Sequence, residues 1–260
     1  MKKKLALIAV TLLALLLTAC GTPKFDSDGN PLVKTRLSKS GSKREYQYNS
    51  KGDITKETTY SSRGKESTIK FKYGTNGQLS TVITYDKSGK LYTKVKYEYE
   101  GENRTKSYLY SSDNELVKWA DFEYDDHGNK ISMYDHHSQA LLDESFEYEY
   151  DDDDNLIKES KFYRDGSVAE WTEYTYSEVE DGLTLKLEVK YDKDGNAGDY
   201  KEYYYDSDDR LVKTVPHTSF EGSDFIMEYE YDEYGNELRV YAYMEGEEPR
   251  LDFEYTYEFY

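Results

Sequence analysis

Residues able to do chemistry are few, and most of them sit where turns are expected. The four histidines are His127, His136, His137 and His217. His127 and the His136-His137 pair fall in predicted turns, and His217 follows Pro216 in an irregular stretch, a placement that suits solvated loops better than metal ligation. No serine stands in a nucleophile-elbow pattern, and Cys20 is the only cysteine. Carboxylates are abundant, but a glycosidase needs two of them facing one sugar, and the regularly placed Glu residues alternate with aromatics, so they point away from any shared centre. A carbohydrate-active enzyme is therefore the least favoured reading, and no catalytic residue is assigned. Asp192-Lys193-Asp194-Gly195-Asn196, Asp26-Ser27-Asp28-Gly29-Asn30 and the run Asp151–Asp154 place oxygen donors at alternate positions, as calcium requires. None is followed by the distal Glu of a full EF-hand loop, and the same residues are good turn formers. No cofactor or metal is expected beyond a weak structural calcium. Trp119 and Trp171 share one place, five residues before a tyrosine of the repeat described next, and an exposed Trp on a polar sheet can contact a sugar or a protein.

The elements that must carry these residues follow from the tyrosines, of which there are 30. Tyr48, Tyr73, Tyr99, Tyr124, Tyr150, Tyr176, Tyr205, Tyr231 and Tyr257 recur mostly every 25 or 26 residues, and Phe25 is a degenerate first member. A fixed period of this size marks a repeat architecture. Two residues before each of these nine anchors stands another aromatic, and three residues before it a charged residue. Alternation with period two is the mark of a strand with one buried and one wet face. Four residues after Tyr48, Tyr73, Tyr124 and Tyr231 comes a glycine, and after Tyr150 and Tyr205 an aspartate. This offset suits a type I turn closed by a left-handed residue. A second strand follows, as in Ile54–Tyr60 or Leu156–Phe162, and then a second turn. The expected fold is all-β: an antiparallel meander of about eighteen short strands over residues 25–260. A sheet this wide does not stay flat, and its aromatic stripe avoids water, so it curls with the tyrosine face inward as a spiral, a trough or a wide barrel. Strands of about seven residues are short for a transmembrane barrel, which needs about 9–11.

The leader is read from Lys2, Lys3 and Lys4 followed by the apolar run Leu5–Leu17. That run is short of the ~20 residues of a membrane span and fits a signal peptide. Leu17-Thr18-Ala19-Cys20 resembles the lipobox of bacterial lipoproteins. The resemblance implies that residues 1–19 are removed, that Cys20 carries a diacylglycerol thioether, and that residues 20–24 form a short tether. Gly21, rather than Asp, follows the cysteine, so the inner-membrane retention signal is absent. The location implied is a cell membrane or outer membrane, on its extracytoplasmic side. Loss of the three leader lysines leaves 31 basic against 53 acidic residues, about −22. Such a balance disfavours nucleic acid and anionic headgroups as partners.

Tyr124-Asp125-Asp126-His127-Gly128-Asn129, Tyr231-Asp232-Glu233-Tyr234-Gly235-Asn236, Tyr191-Asp192-Lys193-Asp194-Gly195-Asn196 and Tyr85-Asp86-Lys87-Ser88-Gly89-Lys90 resemble the YD repeats of RHS and teneurin-type proteins. Members of that family build strand-rich spiral shells that enclose toxin domains or serve in cell-surface contact, and are described as carbohydrate-associated. This chain lacks the family's toxin and autoprotease regions, so a cargo held in cis is not expected. The resulting expectation is a non-enzymatic, lipid-anchored binding or scaffold module for a glycan or a surface protein. The alternative is a structural spacer or envelope-assembly component. The longest repeat, Tyr176 to Tyr205, carries three extra residues near Glu180-Asp181-Gly182, and insertions in repeats often mark a binding face. Tyr200 and Tyr204, just beyond it, are the expected contacts together with Trp119 and Trp171.

Overall fold

The Asp-led turns are each held by their own first residue. In a computed structural model, which describes residues 25–26, 29–138, 143–219 and 224–260, the Asp125 N–H donates to Asn129 O at 2.9 Å and Gly128 N–H back to Asp125 O at 3.1 Å. One Asp125 carboxylate oxygen then accepts the N–H groups of His127 and Asn129. The same pattern repeats at Asp151, Asp192, Asp206 and Asp232. The fourth turn residue takes a positive φ, as Gly128 (90°) and Asp154 (63°) do, which only glycine adopts freely and Asp or Asn tolerates. The Asp-rich loops at Asp151 and Asp192 are thus built as turns.

These turns connect eighteen strands. They are β1 (Val33–Ser38), β2 (Lys43–Tyr48), β3 (Ile54–Ser61), β4 (Gly64–Tyr73), β5 (Leu79–Asp86), β6 (Leu91–Glu100), β7 (Asn103–Tyr110), β8 (Leu116–Tyr124), β9 (Lys130–His137), β10 (Glu144–Tyr150), β11 (Leu156–Tyr163), β12 (Val168–Glu178), β13 (Thr184–Asp192), β14 (Ala197–Tyr205), β15 (Leu211–His217), β16 (Phe225–Tyr231), β17 (Glu237–Met244) and β18 (Arg250–Phe259). Every strand pairs antiparallel with the next. The ring closes because β1 also pairs with β18, in the register Arg36 to Tyr257 and Ser38 to Tyr255. The meander expected from the repeat is therefore a closed barrel, which removes both sheet edges.

The anchor tyrosines end the even-numbered strands at one rim, called here the anchor rim. There the register slips by one residue: Tyr73 faces Leu79 while Lys72 faces Thr81, leaving Ser80 as a bulge. A bulge leaves ladder groups without partners, and an unpaired carbonyl is costly. Here the tyrosine hydroxyls satisfy carbonyls at the starts of the preceding odd strands: Tyr73 to Ile54 O, Tyr99 to Leu79 O, Tyr124 to Arg104 O, Tyr150 to Lys130 O, Tyr176 to Leu156 O, Tyr231 to Leu211 O and Tyr257 to Glu237 O, at 2.6–2.9 Å. Tyr48 does the same for Val33 O, and Tyr260 crosses the seam to Tyr46 O.

No side chain among the described residues is fully enclosed. Extensive contacts run only between neighbours in the ring. The wall is one sheet thick, so stability rests on the backbone ladder and on cross-strand pairs more than on a central core. The anchor face is the more covered: Phe71, Tyr73, Tyr97 and Tyr99 are half-buried between exposed Lys70, Lys72, Lys96 and Glu98. Both faces carry charge. On the anchor face lie Glu57, Lys118, Glu159 and Lys186, all in register with anchor-face aromatics or their neighbours.

Two local expectations are corrected, and the inserted residues are placed. His136 and His137 end β9 rather than lying in a turn, because they pair with Trp119 and Lys118 of β8. His217 is likewise in β15, paired with Tyr200. The extra residues of the long repeat form a 3-10 turn, Glu180–Gly182, at the anchor rim, with Asp181 at φ 64°.

Candidate functional site: an aromatic belt on the face opposite the anchors

Cross-strand register assigns each candidate residue to a face. Trp119 stands opposite His136, Trp171 opposite Tyr191, and Tyr200 opposite His217. All six lie on the face away from the anchor tyrosines, as expected for the two tryptophans. Tyr204 shares that face, whereas Tyr203 and Tyr205 lie on the other, so the run of tyrosines near the insertion is divided between the two sides of the wall. The insertion sits beside Tyr205, which pairs with Thr184. Tyr200 pairs with Val189, further down the same strand. The 3-10 turn therefore does not overhang Tyr200.

Tyr200 precedes its anchor by five residues, the same offset as Trp119 and Trp171. Each of the three forms a parallel stack with its partner. The ring centroids are 4.7 Å apart for Trp119–His136, 5.1 Å for Trp171–Tyr191 and 4.1 Å for Tyr200–His217, with planes within 6–11°. Strands are ~4.8 Å apart, so rings stacked at this separation stand upright from the sheet, covering each other's inner faces. Tyr134 also packs on His136, with ring centroids 4.6 Å apart. Trp171 lies beside Ser160, its small neighbour on β11, with Lys158 Nζ 5.7 Å from its ring centre. Tyr200 is 40% exposed.

The partners of these residues reveal a regularity that the anchor reading did not contain. The residue five before each anchor faces, on the next strand, Tyr60, Tyr85, Tyr110, His136, Phe162, Tyr191, His217 and Tyr243 in turn. Six of these eight stand twelve residues after an anchor; Tyr110 stands eleven after, and Tyr191 fifteen, because of the three-residue insertion. A second aromatic belt therefore encircles most of the barrel, on the other face from the anchors and towards the other rim. The signal was present as a second phase of the same period, obscured because two of its members are histidines.

Carboxylates accompany the belt. The Trp171 indole N–H donates to Glu173 at 3.1 Å, the Tyr204 hydroxyl to Glu202 at 2.6 Å, the Tyr60 hydroxyl to Glu45 at 3.0 Å and the Tyr243 hydroxyl to Glu228 at 2.6 Å. Asp121 lies 3.0 Å from His136 Nε2 and 2.7 Å from Lys106 Nζ. Its hydrogen bond to Glu202, with burial second, pushes the Tyr204 hydroxyl up to about 12. Glu202 also lies 3.5 Å from His217 Nε2, without a hydrogen bond. At the anchor rim His127 Nδ1 lies 3.0 Å from Asp154, joining two turns, and that contact raises the imidazole above its ordinary value. No cluster of metal-ligating side chains forms among the described residues. Cys20 lies outside the described residues, as do Ser27 and Asp28 of the first Asp-rich loop.

No family model matches this chain, and no curated protein matches it in sequence. Among solved structures, a porin-like protein from Bacteroides uniformis ATCC 8492 is similar over 87% of this chain and 96% of its own, at 10% identity and a TM-score of 0.49. The TcdB2-TccC3 structures match over 85% of this chain and 17–18% of theirs, at 10% identity and TM-scores of 0.20–0.21. These likenesses concern strand arrangement alone.

Proposed function

We propose that the chain is a lipid-anchored, extracytoplasmic barrel that binds a glycan through the belt opposite the anchors, without catalysing a reaction. The observation that carries this reading is the triple recurrence of one constellation, Trp119/His136/Asp121, Trp171/Tyr191/Glu173 and Tyr200/His217/Glu202. Each joins flat apolar area to a hydrogen-bond acceptor, the pairing of functions that a sugar ring needs. Alternate strands are ~10 Å apart, so Trp171 and Tyr200, on β12 and β14, could serve one extended oligosaccharide. The carboxylates beside the rings are each engaged by a neighbour, which favours binding over acid–base chemistry. The greater coverage of the anchor face supports its being the concave one, since side chains crowd inside a curved sheet and spread outside it. The belt would then face outward.

A structural spacer is the second reading, favoured by the way the paired rings cover each other and so act as cross-strand supports. A glycan array probed with the mature protein separates the two. Saturable binding that falls by about tenfold or more, the equivalent of one lost contact of 1.4 kcal/mol, in Trp171→Ala and Tyr200→Ala with melting unchanged supports the binding reading. Absence of binding to every glycan leaves the spacer, and binding that is unchanged in both variants moves the site elsewhere.

A further inference from the structure

The first described residues lie on the anchor rim. Phe25 bridges to Pro31, Asp26 N–H donates to Asn30 O at 2.9 Å, and a Cβ placed on Gly52 would lie 3.5 Å from Asp26 Cα and 3.7 Å from Phe25 O. Gly52 belongs to the turn joining β2 and β3, which is at the anchor rim. The other terminus is there too: the Tyr260 N–H donates to Leu32 O at 3.1 Å. Only residues 21–24 separate Cys20 from Phe25. Even fully extended, five residue steps span at most ~18 Å.

We infer that the barrel stands upright on the bilayer, with the anchor rim towards the lipid surface and the opposite rim, with its aromatic belt, held away from it. This rests on the lipid-anchor reading and adds an orientation to it. A tether of this length cannot pass along the wall, because the strands, at ~3.3 Å per residue, run about 25 Å between rims. The anchor-rim turns 125–129, 151–155, 206–210 and 232–236 are dominated by Asp and Glu, including the unbroken run Asp151–Asp154, with Arg210 as their basic residue. The opposite rim mixes Lys39, Arg63, Lys87, Lys90 and Lys193 with Asp86, Asp113, Glu115, Asp192, Asp194, Glu245, Glu247 and Glu248 in its turns. An acidic rim is repelled by anionic headgroups over roughly a Debye length, about 10 Å at 0.1 M salt, so on anionic lipid the barrel stands off from the surface. The partner this arrangement suits is one approaching from the medium or from a facing surface, not a component embedded in the same membrane.

The test uses the lipidated full chain in vesicles. Acylation of Cys20 leaves no free thiol, so Asp126→Cys at the anchor rim and Ser88→Cys at the opposite rim each give one dye site; both residues are exposed. Energy transfer to headgroup-labelled lipid is expected to be stronger from the Asp126 site than from the Ser88 site. Adding anionic lipid should weaken the Asp126 signal, and salt should restore it. Equal transfer from both sites means a barrel lying on its side and overturns the orientation, as does stronger transfer from Ser88. Failure of the lipidated chain to float with vesicles, with Cys20→Ser behaving identically, overturns the anchor itself and the orientation with it. Flotation with the wrong transfer pattern overturns the orientation alone.

Discussion

The hydroxyl of Tyr99, at the end of β6, donates to the carbonyl of Leu79, at the start of β5, across 2.9 Å. Leu79 adjoins a bulge, so this is a contact in which a side chain completes the backbone ladder. Tyr99→Phe keeps the ring and removes the donor. It should cost about 1 kcal/mol, the net worth of such a bond. Tyr92→Phe, at a residue 64% exposed, should cost nothing measurable. Urea midpoints for the two variants that coincide would show the hydroxyl ring to be ornamental.

Gly89 closes the turn after β5 at φ 85°, with open space where a Cβ would point. Any penalty there comes from the backbone alone. Gly89→Ala should destabilise by roughly 1–2 kcal/mol, the cost of the left-handed region for an L-residue, and Gly89→Asn by less, since Asn tolerates it. Thermal melts showing the same loss for both substitutions would contradict this account of the turn.

Acid should loosen the turns. The Asp151 and Asp192 carboxylates are held below the usual range, first by the Asn155 and Asn196 side-chain amides and then by backbone N–H groups. A depressed folded pKa contributes stability that is present above the unfolded value, near 3.9, and is lost as pH falls through the folded value. Stability should therefore decline below about pH 4. Asp151→Asn and Asp192→Asn should flatten that decline in denaturant midpoints measured against pH. A pH response identical to wild type in the double variant would assign acid sensitivity to other groups.

Alkali should open the barrel. Burial pushes the hydroxyls of Tyr48, Tyr174 and Tyr257 up to about 12. For a raised phenol the neutral form is favoured in the fold, so its contribution is intact below the unfolded value near 10 and is lost as pH rises through the folded one. Ultraviolet titration should show exposed tyrosines ionising first and these anchor-face tyrosines only together with loss of the β circular dichroism signal. A single ionisation wave with the fold retained would refute the burial of this ring.

Much of the fold is legible in local chemistry. The Tyr–Asp turns, the period-two alternation and the strand starts at Ile54, Leu79, Leu156 and Leu211 all follow from residues within one repeat, and the strand number follows by counting. Closure does not, because the pairing of Arg36 with Tyr257 depends on twist and stagger accumulated over the whole sheet, and no short segment records it. The candidate site was half legible. Trp119, Trp171 and Tyr200 share an offset that can be read, but their partners His136 and His217 look like loop residues until β8 and β14 lie beside them. The division of Tyr203 and Tyr204 between opposite faces follows from strand alternation alone.

The β1–β18 seam also governs how the chain reaches this state. Hairpins such as β3–β4 join residues a few positions apart and form quickly, whereas Val33 meets Phe259 only when the last strand exists. Loop-closure entropy must be met before that contact repays it, which makes closure the slow, late event of folding. Until β18 docks, β1 therefore waits with one edge uncovered, a template for pairing with another copy. Truncation of β18 would leave both edges open in the finished chain, converting a self-sealed barrel into one prone to edge-to-edge oligomers.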